Sequence, residues 1–246
     1  MDLNEKVAIV TGSSSGIGEA CARQLSAAGC RVVVNSRSSV EEGESVAKSL
    51  DDAIYVQADI ADPAGARRVV DAAADQWGRL DVLINNAGTT VFIPHHDVDA
   101  VTPDVWHRIL DVNVIGTWLV TQAALPHLRA DGGGCIVNMG SVAGVRQTGS
   151  SLPYAVSKAA VHHMTELIAA MAGPEVRANA VAPGLIDTPW TRGGYPNEVF
   201  DLVAADTPAG RVGTPDDVAE VVLDVVRAGY LTGQVVLVDG GMALRR

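Results

Sequence analysis

Short apolar runs alternate with longer amphipathic stretches along the whole chain. Seven of the runs are rich in β-branched residues and predict strands, over residues 7–10, 31–35, 54–57, 81–84, 135–139, 177–182 and 235–238. Most of these runs lack polar alternation, which indicates strands buried on both faces, and the helices between them supply the crossovers that parallel pairing requires. The pattern predicts one α/β domain over residues 1–246, a doubly wound parallel sheet of about seven strands flanked by helices on both faces.

Glycine, proline and aspartate residues mark the expected helix ends. Gly29 is placed to end the helix that follows the first strand, whereas Asp62 and Pro63 begin a helix that ends near Gly78. The least regular stretch spans residues 188–215, where glycines and prolines surround one short apolar segment. We expect this stretch to form a lid over a substrate site.

Charge and composition narrow the classes of partner. A net charge of -11 without a basic patch argues against nucleic acid or an anionic membrane surface, and favours a small molecule. Three scattered cysteines, with no CxxC pair, indicate buried thiols in a reducing compartment. The chain starts without a basic, apolar leader and has no apolar run near the ~20 residues of a membrane span. We therefore expect a cytoplasmic protein with no membrane partner.

A glycine-rich loop follows the first strand and leads into a helix that we expect to begin near Glu19. Glycines let the backbone turn tightly and approach a pyrophosphate, and the free N–H groups of a helix N-terminus favour its negative charge. The alternative is a loop that glycines merely shape, with no ligand. We expect a dinucleotide to contact the loop at Gly12, Ser14, Ser15, Gly16, Ile17 and Gly18.

The residues that follow the second strand bear on which dinucleotide is bound. A carboxylate there would accept from a ribose 2′-hydroxyl and repel a 2′-phosphate, whereas an arginine would attract the phosphate. The sequence has Asn35, Ser36 and then Arg37, which favours NADP(H), although an ordinary solvated loop residue is the alternative for Arg37. Because the glycine loop itself carries no basic residue, NAD(H) stays open as the second choice.

Polar residues near the ends of later strands form the candidate catalytic set. Tyr154 and Lys158 are four residues apart and share a helix face, and Ser141 follows the fifth strand. A nearby ammonium would lower the pKa of the phenol from its reference value of about 10 and so favour proton transfer. The Ser141 hydroxyl can hold a substrate oxygen. Asn113 stands in a helical pattern, where Asn is unfavourable, and this indicates a special role.

These motifs give the chain a resemblance to the short-chain dehydrogenase/reductase family that covers essentially its whole length. The matching motifs are G-x-x-x-G-x-G in residues 12–18, N-N-A-G in residues 85–88 and the tyrosine–lysine pair, and they occur in the same order along the chain as in the family. The resemblance implies a Rossmann-like fold and a tetrad of Asn113, Ser141, Tyr154 and Lys158, with Asn113 holding a water that joins Lys158 to a proton relay. It also implies cofactor contacts from Asp59, which would bind adenine, and from Asn86, Ala87, Gly88, Tyr154, Lys158, Pro183, Gly184, Ile186 and Thr188.

The predicted function is an oxidoreductase that transfers hydride between NADP(H) and a carbonyl or alcohol substrate, with Tyr154 as the acid/base. The alternatives are an NAD(H)-dependent alcohol dehydrogenase, a 3-oxoacyl-carrier-protein reductase and a noncatalytic dinucleotide-binding regulator. A free small-molecule substrate ranks above a carrier-bound one, because the acidic chain offers few basic residues with which to dock an acidic carrier.

The resemblance further implies a homotetramer or a homodimer, although the helix end around residues 169–177 is compressed relative to the family. The adjacent pairs His95-His96 and His162-His163 point in different directions and lack convergent Cys or carboxylate partners, so we expect no metal. Trp190, at the start of the predicted lid, is a candidate substrate contact.

Overall fold

Seven parallel strands form one sheet in the computed structural model, which describes residues 1–130 and 132–244. The strand order is β3-β2-β1-β4-β5-β6-β7. This confirms the predicted Rossmann-like, doubly wound parallel sheet. The strands are β1 Val7–Val10, β2 Arg31–Ser36, β3 Ala53–Gln57, β4 Val82–Asn85, β5 Gly134–Met139, β6 Val176–Pro183 and β7 Val235–Val238.

Helices cover both faces of the sheet. They are α1 Gly16–Ala27, α2 Val40–Lys48, α3 Pro63–Trp77, α4 Pro103–Leu110, α5 Thr117–Arg129, α6 Leu152–Ala172, α7 Pro189–Gly194, α8 Asn197–Asp206 and α9 Pro215–Arg227. A π-helical segment, Asp111–Gly116, joins α4 to α5, and short 3-10 turns occur at Val142–Gly144 and Met242–Leu244.

The two faces of the central strand β1 explain why its sequence shows no polar alternation. Ala8 and Val10 pack in one hydrophobic cluster with α1, α2 and α9, whereas Val7 and Ile9 pack in the other with α3, α5 and α6. All four side chains are fully buried. A strand that lies between two helical layers needs apolar residues at every position.

The chain direction across the sheet reverses beside β1, and this creates the crevice for a site. Val10 at the end of β1 lies opposite Val34 of β2 on one side and Ile84 of β4 on the other. The connections from these two neighbours run to opposite faces of the sheet, so their loops separate at the carboxyl end. Ligands of open parallel sheets bind at such a switch point.

Several predicted helix ends agree with the structure. Gly29 has φ +93° directly after α1, and Gly78 ends α3 with φ +73°, both in the left-handed region that favours glycine. Asp62 caps α3, because its carboxylate accepts from the backbone N–H groups of Ala64 and Gly65.

Two local expectations need correction, and the structure adds detail to a third. Helix α1 begins at Gly16 and not near Glu19. The stretch 188–215 contains the two helices α7 and α8 rather than irregular chain. In the compressed stretch 169–177, α6 continues through Ala172 and only three residues separate it from β6.

One helical run within the described residues, Pro103–Arg129, is long and apolar enough to cross a bilayer, with a mean hydropathy of 1.2 over 18 residues. This differs from the expectation of no such run. Its apolar residues Val120, Ala124 and Leu128 are fully buried in the cluster shared with α3 and α6. The core helix of a globular domain accounts for the same composition.

Candidate active site

A cleft of about 450 Å³ opens at the carboxyl ends of the strands on either side of the switch point. It brings together all the predicted site residues except Gly18 and Asn113. The predicted residues that line it are Gly12, Ser14, Ser15, Gly16, Ile17, Arg37, Asp59, Asn86, Ala87, Gly88, Ser141, Tyr154, Lys158, Pro183, Gly184, Ile186 and Thr188.

The glycine loop is shaped by close backbone contacts beneath it. Gly12 has φ +62°, and a Cβ there would lie 2.8 Å from the Cα of Ala87. The side-chain amide of Asn86 donates to the carbonyl oxygens of Thr11 and Gly12 at 3.0 and 2.9 Å. Gly18 lies inside α1, where a Cβ would collide with the same amide of Asn86. Gly18 therefore shapes the loop from behind and does not line the cleft.

Helix α1 points its N-terminus into the cleft. The N-cap residue Ser15 makes no capping hydrogen bond from its side chain to the described chain, so the N–H groups of the first turn face the cleft. Gly16, with φ +59°, keeps this approach free of a side chain. Uncapped amides, the helix dipole and a glycine cradle together fit the pyrophosphate of a dinucleotide.

Arg37 and Asp59 face each other at the other end of the cleft. Arg37 Nη1 lies 3.8 Å from Asp59 Oδ2, and the two side chains are 65% and 39% exposed. Asn35, near the end of β2, uses its side chain for hydrogen bonds within the protein. Its amide donates to the carbonyls of Val56 and Ala58, and its oxygen accepts from the N–H of Gly12. Neither Asn35 nor Ser36 supplies a carboxylate at this strand end.

Tyr154 and Lys158 lie one turn apart on α6 and both face the cleft. Lys158 Nζ is 5.7 Å from the centre of the Tyr154 ring and donates to the carbonyl oxygen of Met139 at 2.7 Å. Ser141, at the end of β5, accepts at Oγ from the N–H of Ala143 at 3.1 Å. Three of the four predicted catalytic side chains therefore line the cleft together.

The electrostatics of this group differ from the expectation. Desolvation by its surroundings raises the pKa of Tyr154 to about 12, even though a hydrogen bond with Ser141 acts in the opposite direction and Tyr195 adds a smaller raising effect. Burial lowers the pKa of Lys158 to about 8. The prediction that the lysine ammonium would hold the phenol pKa below its usual value is wrong for this structure, because desolvation raises the pKa by more than the hydrogen bond with Ser141 lowers it. At neutral pH the phenol is protonated.

Asn113 lies behind the cleft wall, within the π-helical segment, and is 1% exposed. Its amide donates to the carbonyl of Thr89 and to Ser157 Oγ, and its oxygen accepts from the N–H of Thr89 at 2.7 Å. A Cβ at Gly88 would stand 3.4 Å from the Asn113 oxygen and 3.7 Å from Lys158 Nζ. Asn113 thus fixes the wall beside Lys158.

An aromatic group that includes the predicted candidate Trp190 borders the catalytic end. Trp190, which is 46% exposed, stacks edge-on to Tyr154 with ring centres 6.1 Å apart. The rings of Phe92 and Tyr195 form a second edge-on pair at 4.9 Å. Phe92 follows β4 and Tyr195 directly follows α7, so the contact between their rings depends on tertiary structure and could not be predicted from residue spacing.

Metal ligands and reactive thiols are two other ways in which side chains can supply chemistry. Within residues 1–130 and 132–244, no group of three or more His, Cys, Asp or Glu side chains is placed to hold a metal ion. The three cysteines are free and buried, and burial raises the pKa of Cys21 and Cys30 to about 12. These two thiols are protonated at neutral pH and so are poor nucleophiles.

Comparisons with known proteins identify the family. A family model described as enoyl-(acyl carrier protein) reductase matches residues 12–243. A Streptomyces violaceoruber protein named as ketoacyl reductase 2 of the granaticin polyketide synthase is 57% identical over 239 residues, which cover 97% of this chain and 96% of that protein. The 3-oxoacyl-acyl-carrier-protein reductase of Thermotoga maritima is 34% identical over 256 residues, with coverage of 99% and 100%.

A solved structure agrees with these relatives. The crystal structure of a Burkholderia xenovorans protein assigned as a short-chain dehydrogenase/reductase superposes with a TM-score of 0.91 at 35% identity, over 98% of this chain and 99% of that one. The named relatives act on CH–OH or C=O groups. The chain belongs to the short-chain dehydrogenase/reductase family, and it is an oxidoreductase of ketone and alcohol groups.

Proposed function

We propose that the protein reduces a ketone with NADPH and that Tyr154 donates the proton to the substrate oxygen. The main support for this proposal is the arrangement of the cleft, which has Ser141, Tyr154 and Lys158 at one end and Arg37 at the other. The protonated phenol favours reduction, because a proton donor is needed when a carbonyl becomes an alcohol.

The residues of the cleft fit a dinucleotide along its length. The amides at the start of α1 and the backbone of Gly12 would hold the pyrophosphate, and Asp59 would lie near the adenine. Ile186 and Thr188 would contact the carboxamide at the far end. When bound, the nicotinamide supplies the hydride that the carbonyl carbon accepts.

The proton steps follow from the contacts on α6 and at the end of β5. Ser141 Oγ is fixed by the N–H of Ala143 and would hold the carbonyl oxygen of the substrate. Tyr154 would pass its phenolic proton to that oxygen as charge develops on it. The ammonium of Lys158, held by the carbonyl of Met139, stabilises the phenolate that results, and Asn113 keeps the wall beside it in place.

The preference for NADP(H) over NAD(H) rests on Arg37. Its guanidinium lines the cleft and is largely exposed, so it can turn toward a 2′-phosphate without leaving a buried partner unpaired. The end of β2 carries no carboxylate that would repel this phosphate. Asp59 works against the preference for NADP(H). Its carboxylate lies 3.8 Å from the guanidinium and partly neutralises the positive charge that would attract the 2′-phosphate.

We propose a ketoacyl group as the substrate. Two relatives that cover the whole chain are named as ketoacyl or 3-oxoacyl reductases, which supports this class over a simple alcohol. The aromatic side chain of Trp190 lines the cleft and stacks edge-on to Tyr154, and this apolar surface suits an acyl chain. The net charge of -11 favours a free or small thioester over one docked on an acidic carrier protein.

A homotetramer, or else a homodimer, in the cytoplasm completes the proposal. Large apolar side chains lie exposed on the π-helical segment, α5 and α6, and they offer a surface for a second copy; they are Ile115, Trp118, Leu167 and Met171. Three protonated, unpaired thiols are compatible with a reducing compartment. Light scattering on the purified protein measures the assembly directly.

The test is a fluorescence titration with NADPH and NADH, followed by turnover of NADPH with three substrates. These are a simple ketone, a 3-ketoacyl thioester of N-acetylcysteamine and the same acyl group on a carrier protein. We expect NADPH to bind at least about tenfold more tightly than NADH, and the small thioester to be reduced. Binding without turnover of any ketone would favour a dinucleotide-binding regulator, and strict dependence on the carrier would contradict the proposed free substrate.

A further inference from the structure

His162 occupies the third position on the catalytic face of α6. Tyr154, Lys158 and His162 follow at intervals of four residues, so their side chains lie above one another on one stripe of the helix. The first two line the cleft, whereas His162 lies deeper and is 6% exposed. Its neighbour His163 points to solvent and contacts Glu166 at 3.5 Å.

The imidazole of His162 fits a slot between two glycines of the turn that carries Ser141. A Cβ at Gly140 would collide with its Nε2, and a Cβ at Gly144 would stand 2.6 Å from its Cε1. Any larger residue at either position would push the ring away or open the turn. The two glycines and the ring are therefore complementary parts of one contact.

A hydrogen bond joins the ring to the backbone of Ser141. The N–H of Ser141 donates to His162 Nε2 at 3.3 Å, so Nε2 carries no proton and the neutral ring is protonated at Nδ1. Nδ1 is buried and has no hydrogen-bond partner among the described residues. Burial, with a smaller effect of the charge on Lys158, lowers the pKa of His162 to about 4, and Glu166 opposes this weakly. The ring stays neutral at the pH of the cell and keeps its acceptor.

Through this amide, His162 controls where the Ser141 hydroxyl lies. The backbone of Ser141 is extended, with φ −169° and ψ 153°, and its Oγ accepts from the N–H of Ala143. The imidazole holds the backbone on one side and the N–H of Ala143 holds the hydroxyl on the other, which restricts the orientation of the Ser141 side chain. From this position Ser141 lowers the pKa of the Tyr154 phenol, against the larger effect of desolvation.

We propose that His162 is a positioning residue of the active site, which holds the Ser141 hydroxyl in register with Tyr154 by accepting a hydrogen bond from the Ser141 amide. The inference rests on the proposed function, because it gives Ser141 and Tyr154 their roles in ketone reduction. His162 touches neither substrate nor cofactor, since it does not line the cleft. A catalytic constellation tolerates little displacement, and a shift of about 1 Å can reduce the rate on the order of 100-fold.

The test compares His162→Leu, His162→Gln and the control His163→Leu. Leucine removes the acceptor, whereas glutamine places an oxygen near the position of Nε2. We expect His162→Leu to keep the NADPH dissociation constant within about twofold and to lose kcat by about 10- to 100-fold. In the pH profile of reduction, the fall near pH 8 that Lys158 causes should stay in place, and only the higher titration of Tyr154 should move up, because the phenol loses the lowering effect of Ser141. His162→Gln should recover part of kcat, and His163→Leu should match the wild type.

Two outcomes of the kinetics overturn the proposal. One is a His162→Leu variant with wild-type kcat and pH profile. The other is an equal loss of kcat and NADPH affinity in both His162 variants, which would indicate a structural role alone. Melting temperatures are measured alongside, so that a variant that does not fold is recognised.

Nitrogen-15 NMR of the wild-type imidazoles keeps the test independent of folding and of activity. The proposal requires the His162 ring at neutral pH to be uncharged and protonated at Nδ1. A ring protonated at Nε2, or an imidazolium, would overturn it. A wild type that reduces no ketone would remove the proposed function, yet the NMR result would still decide the contact between His162 and Ser141.

Discussion

Replacement of Arg37 by alanine tests how the protein chooses its dinucleotide. The guanidinium is 65% exposed and lines the cleft near Asp59, so its removal leaves no buried partner and should not affect folding. A charge-assisted hydrogen bond contributes roughly 1.5–3 kcal/mol, which corresponds to an increase of about 10- to 150-fold in the dissociation constant of NADPH. The carboxylate of Asp59, freed of its partner, should add repulsion of the 2′-phosphate.

The assay is a fluorescence titration of wild type and Arg37→Ala with NADPH and NADH at two salt concentrations. The dissociation constant of NADH should change by less than about threefold, because NADH has no 2′-phosphate and therefore makes no phosphate contact with Arg37. Arg23→Ala is the matched control, since Arg23 is another exposed arginine, paired with Glu19 on α1 and outside the cleft lining. Equal losses for NADPH and NADH would refute the assignment of Arg37 to the phosphate.

Three further predictions concern pH, the glycine loop and stability. Because burial lowers the pKa of Lys158 to about 8, its ammonium is lost as the pH rises through that value, and kcat for reduction should fall there; a flat profile from neutral to strongly alkaline pH contradicts this. Gly12→Ala should weaken NADPH binding more than tenfold (~1.4 kcal/mol), because the new Cβ would collide with Ala87. The control Gly78→Ala has open space around the new Cβ, so it should cost only about 1 kcal/mol of stability and leave NADPH binding intact. Asp81→Ala should cost roughly 3–5 kcal/mol in urea unfolding, because the 2%-exposed carboxylate accepts from a lysine, an arginine and a backbone N–H; a loss under about 1 kcal/mol contradicts it.

The strands and the glycine loop could be predicted because their signals are local. The run at Val235–Val238 has the same bounds in sequence and structure, since a short apolar strand between polar turns leaves little choice of register. The predicted start of α1 is three residues late, because glycines have poor helix propensity and the contacts of Gly16 with Thr188 and of Gly18 with Asn86 form only in the folded chain. The glycines and prolines of residues 188–215 also have poor helix propensity, so α7 and α8 could not be predicted from the local sequence.

The electrostatics of the site depend on tertiary structure and could not be predicted from residue spacing. The interval between Tyr154 and Lys158 placed both side chains on one face, but the desolvation that raises the phenol pKa comes from neighbours on other elements. His162 was set aside as one of a histidine pair that cannot hold a metal. Its contact with Ser141 exists only because β5 and α6 meet in space.

Single-turnover reduction by Tyr154→Phe tests whether Tyr154 donates the proton to the substrate oxygen. The phenylalanine ring keeps the bulk beside Trp190 and removes only the hydroxyl, so NADPH affinity should stay within about twofold of wild type. When NADPH is bound first and a 3-ketoacyl thioester is then mixed in, we expect a rate at least about 100-fold below wild type, which is the range for loss of a general acid. A variant that reduces the ketone within about threefold of the wild-type rate would show that another group donates the proton, and the assignment of Tyr154 would be wrong.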